Sequence, residues 1–413
     1  MAHDPKALPA ARRLFLLAGA KRGSYRARVL LSVFGARLGG TLHVTLPAPT
    51  ITGINPTSGL FYGGTTVTIS GKNFQPDAAV YFGSTPATVS SISSTTIVVT
   101  TPIHVSGAVP VTVINPDGGT SIYSSYTYLG LFVAAGNGKI ATSTDGLTWN
   151  AQAITGNLFG VIYVHSLRLY VAVGAGVAYY STDDCATWQA GTNVPATSQV
   201  GIAYGNGVFA TVPSVSSTVG SVSADGKAWN ATTVPNHAYF TIGFGPNAGN
   251  PGAGFSAGDT SGGATSADGS AWTDQSFTAG SYQYIRYNSR LSKWIGLCSD
   301  RAMSSANGIA WTQRKVFTGV SYNSGFADTP WGLVARAQGA SNNLAISLDG
   351  LTWNESTATQ LASVPKAIAY GNGVIVNVGN GGQVARSLDS TTWTVANLLG
   401  GVNYAGLYFA DAV

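Results

Sequence analysis

The chain has 413 residues, of which 45% are hydrophobic and 9% are charged, and its formal net charge is +5 at pH 7. This length can hold two or three domains with an ample core. Its 53 glycines and the lack of Leu/Lys/Glu-rich runs predict an all-β protein with many turns and exclude a helical bundle. A single glutamate, Glu355, leaves few acids for acid–base catalysis.

The positive charge is concentrated at the start of the chain. Residues 1–46 carry eight cations and one acid, a net of +7, whereas the other 367 residues carry 13 cations and 15 acids, a net of −2. The basic isoelectric point therefore belongs to this segment, and nucleic-acid binding by the rest of the chain is not predicted. The eight cations are Lys6, Arg12, Arg13, Lys21, Arg22, Arg26, Arg28 and Arg37.

Residues 1–46 are predicted to anchor the protein to a larger assembly. Residues 25–29 alternate like a strand with a basic face, and residues 29–34 are apolar enough to need a partner. We expect the segment to order as it docks on an acidic or apolar surface; a solvated basic tail is the alternative. The arginines assigned to this anchor are Arg12, Arg13, Arg22, Arg26 and Arg28.

A secretory signal is the other interpretation of this segment. The apolar run at residues 14–17 precedes Ala18-Gly19-Ala20, which imitates a cleavage site, but it is shorter than the usual ~7 to 15 residues. No stretch approaches the roughly 20 apolar residues that span a bilayer. We therefore predict a retained segment and no membrane span.

Residues 47–129 are predicted to form a separate domain after a stiff linker, Pro47-Ala48-Pro49. Short stretches alternate like β-strands between turn residues, which predicts an immunoglobulin-like sandwich. The predicted strands are residues 67–70, 79–82, 97–100, 109–114 and 123–128.

A set of landmarks in this domain resembles the IPT/TIG family of immunoglobulin-like sandwiches. The landmarks are Ile54-Asn55-Pro56, Gly63-Gly64-Thr65, Ile69-Ser70-Gly71, Asn73-Phe74, Val80-Tyr81-Phe82-Gly83, Pro102, Gly107 and Asn115-Pro116-Asp117-Gly118-Gly119. The resemblance implies a spacer or interaction module, at cell or virion surfaces or in some transcription factors, and no catalysis. The Ser/Thr/Gly-rich loops do not favour the DNA-binding version.

One short stretch recurs seven times in residues 130–413. Its first copy is Ser143-Thr144-Asp145-Gly146-Leu147-Thr148-Trp149, and the fifth is taken to begin at Ser304. Successive tryptophans lie 39, 41, 43, 39, 42 and 40 residues apart, which is typical of a repeat architecture. The paired residues are Asp145 and Trp149, Asp183 and Trp188, Asp225 and Trp229, Asp268 and Trp272, Asn307 and Trp311, Asp349 and Trp353, and Asp389 and Trp393.

Each copy is predicted to form a hairpin turn. Glycine reaches positive φ, the aspartate accepts hydrogen bonds from nearby amides, and the tryptophan packs between neighbouring units. At this spacing the pattern resembles the Asp-box, or BNR, hairpin of sialidase-type β-propellers. Three copies depart from it, at Asp183-Asp184-Cys185, Asn307-Gly308 and Asp389-Ser390, and we expect looser turns there.

Four strands can be assigned to each repeat of about 40 residues, which predicts a seven-bladed β-propeller over residues 130–413. The first repeat begins at its second strand, residues 131–135, and residues 401–404 supply an unclaimed inner strand. Joining the two would hide both edges of the ring. Residues 407–410 also resemble a second strand, so the way in which the C-terminal strands close the ring is left open.

The sialidase resemblance implies an arginine triad, a tyrosine nucleophile with its glutamate, and an acidic aspartate. This chain lacks the Phe/Tyr-Arg-Ile-Pro motif, and glycosidases in general need two well-placed carboxyl groups. Outside the repeated turns, only Asp259, Asp300 and Asp328 are expected near loop ends. We therefore predict no enzymatic activity and no catalytic residue.

No cofactor or metal is predicted either. The five histidines are scattered, and no Cys/His ligand spacing occurs. Cys185 and Cys298 fall in the second and fifth repeats, too far apart in a ring for a disulfide.

A binding role remains, in which exposed aromatic side chains stack on sugar rings. The candidates are Tyr282, Tyr284, Trp294 and Trp331, and the alternative for each is packing inside a blade.

The order of anchor, spacer and propeller resembles accessory or receptor-binding proteins of tailed bacteriophages. This resemblance implies a virion-surface protein, attached to capsid or tail proteins through residues 1–46, that contacts a host-surface glycan or protein. We expect a symmetric multimer. A secreted or cell-surface bacterial adhesin and a sialidase-like glycan hydrolase are the alternatives.

Overall fold

The computed structural model describes residues 46–246, 252–277, 280–337, 343–357, 365–397 and 401–411, and the backbone of two short strands, Ser32–Val33 and Ala36–Arg37, which pair antiparallel. The chain divides into two compact units, Met1–Tyr128 and Leu129–Val413. The five arginines assigned to the anchor lie outside the described residues.

The first unit contains a sandwich of two antiparallel sheets. One sheet has four strands in the order Thr50–Asn55, Thr66–Lys72, Thr96–Thr100 and Thr88–Ile92. The other has five, in the order Ser58–Leu60, Thr120–Leu129, Gly107–Ile114, Ala79–Phe82 and Thr85–Pro86. All five strands predicted in this segment are present, and four short strands are added to them.

The core of the sandwich follows from the alternation of side chains along its strands. In Thr96–Thr100 the buried residues are Ile97 and Val99, and they alternate with the partly exposed Thr96, Val98 and Thr100. The two buried residues join one cluster with residues from the facing sheet, such as Phe82 and Val111. Burial on one face of each sheet therefore fixes the register of the strands.

The described strands of the second unit form six antiparallel sheets. We label them I to VI; sheet I has six strands and the others have four. Sheet I runs in the order Gln189–Ala190, Ala178–Ser181, Leu169–Gly174, Asn150–Val164, Leu131–Ser143 and Tyr404–Ala410; sheet II is Gln199–Gly205, Val208–Pro213, Ser217–Ser223 and Asn230–His237; sheet III is Thr241–Pro246, Ala253–Gly258, Gly263–Ser266 and Trp272–Gln275; sheet IV is Tyr282–Asn288, Lys293–Cys298, Arg301–Ser305 and Thr312–Val316; sheet V is Phe326–Thr329, Gly332–Arg336, Asn343–Ser347 and Asn354–Thr357; and sheet VI is Pro365–Gly371, Val374–Gly379, Gln383–Ser387 and Trp393–Asn397. Two 3₁₀ turns, His165–Leu167 and Asn380–Gly382, complete the described elements.

Sheet I holds two successive repeats because the first and second parts of each of its two long strands pair with different strands. Residues 150–157 of the strand Asn150–Val164 pair with Leu131–Ser143, and residues 158–164 pair with Leu169–Gly174. Division of the sheet at this point would give the seven blades that the sequence predicts. The count of seven stays a prediction.

The C-terminal strand closes the unit. Tyr404–Ala410 pairs antiparallel with residues 131–136, from Leu131 opposite Ala410 to Gly136 opposite Tyr404. The predicted joining of first and last repeats is therefore confirmed, but the inner strand is residues 404–410 and not residues 401–404. Residues 407–410 belong to this same inner strand and not to a second one.

The innermost strands of the sheets follow one another around a ring. The closing strand Tyr404–Ala410 packs against residues 158–164 on one side and against Pro365–Gly371 of sheet VI on the other. Sheets IV and V meet at the rings of Tyr284 and Phe326, whose centroids are 5.4 Å apart. With the pairing of its sheets, this circular order makes the second unit a β-propeller.

All seven repeated turns share one hydrogen-bond pattern. The first serine of each turn donates its hydroxyl to Oδ1 of the residue at the aspartate position, at 2.8–3.2 Å. In six of the turns, two successive backbone amides also donate to that Oδ1, at 2.7–3.0 Å. The fifth turn begins at Ser305, not at Ser304 as the sequence suggests.

The expectation of looser turns in the three variant copies is wrong for two of them. Asn307 accepts the same two amide hydrogen bonds as an aspartate, because its side chain offers the same carbonyl oxygen. Ser390 takes the left-handed glycine position with φ 68°, and Asp389 keeps both hydrogen bonds. The second copy does differ, since one extra residue leaves Asp183 with a single amide donor, Thr187.

Most of the tryptophans that follow the turns pack between neighbouring sheets. Trp393 is 1% exposed and lies in one cluster with Val334 of sheet V and Ile375 of sheet VI. Trp229 of sheet II is also 1% exposed and contacts the cluster around Val171 of sheet I. The repeated indoles thus fill the gaps between the blades.

Trp393→Ala should lower the free energy of unfolding of the propeller by ~3–5 kcal/mol, because it leaves a cavity between two sheets. The half-buried Trp188 provides the matched control, and Trp188→Ala should cost distinctly less. Urea unfolding followed by circular dichroism measures both. Equal losses in the two variants would contradict the assigned role of the buried indole.

Acid should destabilise the propeller through its turns. Amide hydrogen bonds, that of Thr352 foremost, lower the pKa of Asp349 to about 2, and the amide of Thr392 is the main cause of a similar pKa for Asp389. Carboxylates with depressed pKa contribute stability that is present above their unfolded pKa of about 4 and is lost as the pH falls through the folded pKa. The melting temperature should therefore fall progressively from about pH 4 to about pH 2.

Asp349→Asn tests this origin, since Asn307 shows that the turn accepts an amide. The variant should fold and should lose less melting temperature between pH 5 and pH 2 than the wild-type chain. A drop as large as that of the wild type would show that Asp349 does not contribute to the acid response.

Candidate functional site in the propeller

Two of the four aromatic candidates for ligand stacking are buried. Tyr282 and Trp294 are both 0% exposed. Trp294 donates its indole N–H to the carbonyl of Pro246 at 2.6 Å, and the ring of Tyr282 lies 5.3 Å from that of Trp311. The prediction that they stack on sugars is therefore wrong, because both rings are part of the packing around sheet IV.

The other two candidates are half-buried and also pack against neighbouring sheets. The ring of Tyr284 stands edge-on to Phe326 of sheet V, and that of Trp331 stands edge-on to Tyr370 of sheet VI at 5.6 Å. The structure does not bring the four candidates together in one surface. Blade packing, the alternative given for each, accounts for these contacts.

The three aspartates considered for hydrolysis lie in different places. Asp259 follows the strand Ala253–Gly258 of sheet III, Asp300 lies between two strands of sheet IV, and Asp328 lies in the innermost strand of sheet V. Asp300 accepts two hydrogen bonds from the guanidinium of Arg301, at 2.6 and 2.8 Å. These hydrogen bonds are the main cause that lowers the pKa of Asp300, so the carboxylate stays ionised at neutral pH.

Asp259 takes part in a bridge between sheets II and III. Its Oδ1 accepts hydrogen bonds from the amides of Ser261 and Gly262, both at 2.6 Å, and its Oδ2 contacts Nδ1 of His237. Nε2 of His237 lies 3.2 Å from Oδ1 of Asp274. This histidine therefore links the outer strand of one blade to two carboxylates of the next.

Asp328 is held by two side chains of sheet IV. Arg290 donates to its Oδ1 from Nη2 at 2.7 Å and from Nε at 3.1 Å. Asn288 donates to its Oδ2 at 2.6 Å. Both oxygens of Asp328 are thus engaged in joining sheets IV and V.

The centre of the ring carries an arrangement that the candidate residues did not include. Strand register identifies one equivalent position on each innermost strand, which we call the inner-ring position. Its residues are Ile162, Ala203, Gly243, Arg286, Ala327, Ala369 and Tyr408, paired with Val171, Ala210, Ser256, Ile295, Val334, Val376 and Val133 respectively. Five are aliphatic or glycine, whereas Arg286 and Tyr408 are large and polar.

Arg286 and Tyr408 occupy equivalent positions on innermost strands in opposite parts of the ring. Tyr408 lies on the closing strand, whose neighbours are residues 158–164 and sheet VI, and Arg286 lies on sheet IV, which is not adjacent to it. Each nevertheless influences the charge of the other. Strand register places both residues on innermost strands, which surround the centre of the ring.

The surroundings of Arg286 keep it charged. Tyr284 is the main cause that raises the pKa of Arg286, burial opposes this effect, and Tyr408 and Asp328 add to it. Burial raises the pKa of Tyr408, and Arg286 acts in the opposite direction, so the phenol is protonated at neutral pH. The Arg286 side chain is exposed, and within the described residues no carboxylate forms an ion pair with it.

The sequence contains a signal for this position that is visible only after the repeats are aligned. Ile202-Ala203-Tyr204 and Ile368-Ala369-Tyr370 share one frame, and Ile285-Arg286-Tyr287 places an arginine where the others have alanine. The tyrosine at 408 has no such signal, because its strand could not be assigned from the sequence.

Among the described residues, no group of three or more His, Cys, Asp or Glu side chains is arranged so that it could hold a metal ion. None of the described helices is long and apolar enough to cross a lipid bilayer. The two cysteines, Cys185 and Cys298, are free and buried.

The sandwich of the first unit matches a known family. Residues 49–128 match the family described as IPT/TIG domain, as the landmarks in the sequence indicate. The chain is thus an all-β protein in which an IPT/TIG immunoglobulin-like domain precedes a β-propeller. No curated protein matches the chain.

Several solved structures resemble the chain at low identity. Apo AztD from Citrobacter koseri is 12% identical over 68% of this chain and 98% of its own, with a TM-score of 0.48. Streptogramin B lyase is 10% identical over 68% and 98%, with a TM-score of 0.49, and YCF48 from Cyanidioschyzon merolae is 13% identical over 61% and 94%, with a TM-score of 0.47. At these identities and TM-scores, the activities of the three proteins are not assigned to this chain. The assignment of a propeller rests on the pairing of the strands.

The buried cysteines should not react in the folded protein. Burial raises the pKa of Cys298 to about 12, and it raises the pKa of Cys185 well above its ordinary value, so neither forms the reactive thiolate at pH 8. Iodoacetamide at pH 8 should leave both thiols unmodified in buffer and alkylate both in urea, as read by peptide mass spectrometry. Rapid alkylation of either cysteine in buffer would contradict their burial.

Proposed function

We propose that the chain is a non-enzymatic accessory or receptor-binding protein of a bacteriophage virion. Residues 1–46 would attach it to capsid or tail proteins, the IPT/TIG domain would act as a spacer, and the propeller would contact a host-surface glycan or protein. In this proposal the protein forms a symmetric multimer on the virion surface.

The observation that carries the non-enzymatic part is the separate engagement of the candidate acids. A glycosidase needs two carboxyl groups that flank one bond, roughly 5 to 9.5 Å apart. Here Asp300 is held by Arg301 and Asp328 by Arg290 and Asn288. Asp259 is occupied by two backbone amides and a histidine, so each acid serves a local contact in a different sheet.

The repeated turns support the same conclusion. Their aspartates are occupied by the hydroxyl of a serine and by backbone amides, as Asp145 is by Ser143, Leu147 and Thr148. We propose that these turns are Asp-boxes, as their resemblance implies, and that their role is structural. The carboxylates of the turns are then not available for catalysis.

The separation of charge supports an attachment role for the N-terminal segment. A segment of net charge +7 precedes a body of net charge −2, so attraction to an acidic partner is confined to one end of the chain. A secreted bacterial adhesin with the same propeller would instead require cleavage of the segment. N-terminal sequencing of the mature protein that began near Lys21 would favour the adhesin.

Deletion of residues 1–46 should abolish incorporation into virions, with the protein otherwise retained at a fixed copy number per particle. A variant with Arg12, Arg13, Arg22, Arg26 and Arg28 changed to Gln should also be absent from virions. The matched variant with the same five residues changed to Lys should be incorporated, because it keeps the charge. Immunoblots of purified particles from complemented infections measure all four. Normal incorporation of the deletion variant would reject the proposed anchor.

Turnover provides the test of the non-enzymatic part. The protein should release no reducing sugar from host-surface polysaccharide. Release that is lost in Asp259→Asn, Asp300→Asn or Asp328→Asn would establish the hydrolase instead.

A further inference from the structure

The inner-ring position holds one cation, Arg286, and one phenol, Tyr408, and a second phenol, Tyr284, lies two residues before Arg286 on the same strand. Arg286 and Tyr408 lie on innermost strands in opposite parts of the ring, and Tyr284 is the main cause that raises the pKa of Arg286. Ala203, Gly243, Ala327 and Ala369, at the equivalent positions, add little volume. Arg286 and Tyr408 are therefore the polar side chains at this position, and four of the other five residues are alanine or glycine.

The charge of Arg286 is not neutralised by a direct partner among the described residues. The nearest acid that influences it, Asp328, has both oxygens engaged by Arg290 and Asn288. The Arg286 side chain is exposed, and it belongs to the innermost strand of sheet IV, so protein lies on either side of it. A cation in such a place attracts anions more strongly than one on an open surface, because the surrounding protein screens it less than water does.

We propose that the centre of the propeller binds the carboxylate group of a small acidic molecule, held by the guanidinium of Arg286 and the hydroxyls of Tyr284 and Tyr408. This assignment extends the binding role proposed above for the propeller, and its biological meaning depends on that role. It names the ligand class of the propeller as singly charged carboxylates.

A carboxylate fits these groups better than a phosphate does. The planar guanidinium matches the two oxygens of a carboxylate in a forked pair of hydrogen bonds. A single positive charge balances a single negative one, whereas a doubly charged phosphate would keep excess charge beside Asp328. Neutral phenols donate hydrogen bonds without adding charge, which preserves this balance.

Two kinds of small molecule present such a group: an acidic sugar, as in host polysaccharide, and a simple organic acid. The shared chemistry is the carboxylate. The probes that distinguish them are sodium glucuronate, sodium acetate, glucose and inorganic phosphate, each titrated into the full-length protein at constant ionic strength by isothermal calorimetry.

Wild-type protein should bind glucuronate saturably and should bind neither glucose nor phosphate at the same concentrations. Arg286→Gln should weaken binding at least tenfold, and Tyr408→Phe should weaken it severalfold. The control is Arg168→Gln, which changes an exposed arginine outside the innermost strands and should leave binding unchanged. Tenfold weaker binding of acetate would identify the acidic sugar, and equal binding would identify the carboxylate alone as the ligand group; both support the site.

Unchanged binding in Arg286→Gln, tighter binding of phosphate than of glucuronate, or no carboxylate binding by the wild-type protein would overturn the proposal. Arg286→Lys keeps the charge but loses the fork, and it should show intermediate affinity if the glutamine variant does not fold. Failure here leaves virion incorporation untouched, since that test depends on residues 1–46. The two proposals can therefore fail independently.

Discussion

The second unit depends on the pairing of its two ends. Every innermost strand has a neighbour on both sides only because Tyr404–Ala410 joins residues 131–136. Without this pairing, two sheet edges would present unpaired backbone groups to the solvent. Asn372 adds to the closure, as its side chain accepts a hydrogen bond from the amide of Gly130 and donates to the carbonyls of Gly130 and Thr144.

Closure also explains how the repeats are joined. Asn206 of sheet II donates to the carbonyls of Ala253 and Ala267 in sheet III, as Asn372 does from sheet VI to the first repeat. The asparagine of the Gly-Asn-Gly turn in one blade thus supports the repeated turn of the next. Together with the indoles between the sheets, these contacts give a rigid ring on which central side chains are held in place.

The central site and the candidate acids illustrate two uses of polar groups in this ring. Asp259 and Asp328 connect neighbouring blades, through His237 and through Arg290 respectively, and Asp300 pairs with the guanidinium of the adjacent Arg301. Arg286 is different, since its position on the inner strand faces the space that no blade fills. Arg286 and Tyr408 are distinguished by their difference from the residues at equivalent positions in the other blades, and not by their polarity alone.

The sequence by itself determined the all-β class, the sandwich with its five principal strands and the repeated turn, because alternation and turn chemistry are local properties that Ile97, Val99 or Asp145 express in any context. It could not determine that Tyr282 and Trp294 are buried, since an aromatic residue between turns fits packing and exposure equally well. Only the tertiary structure showed that residues 404–410 close the ring and that Tyr408 and Arg286 occupy equivalent positions on its innermost strands. The closing pairs join residues distant in sequence, and their partners are chosen by ring geometry, which no local pattern encodes.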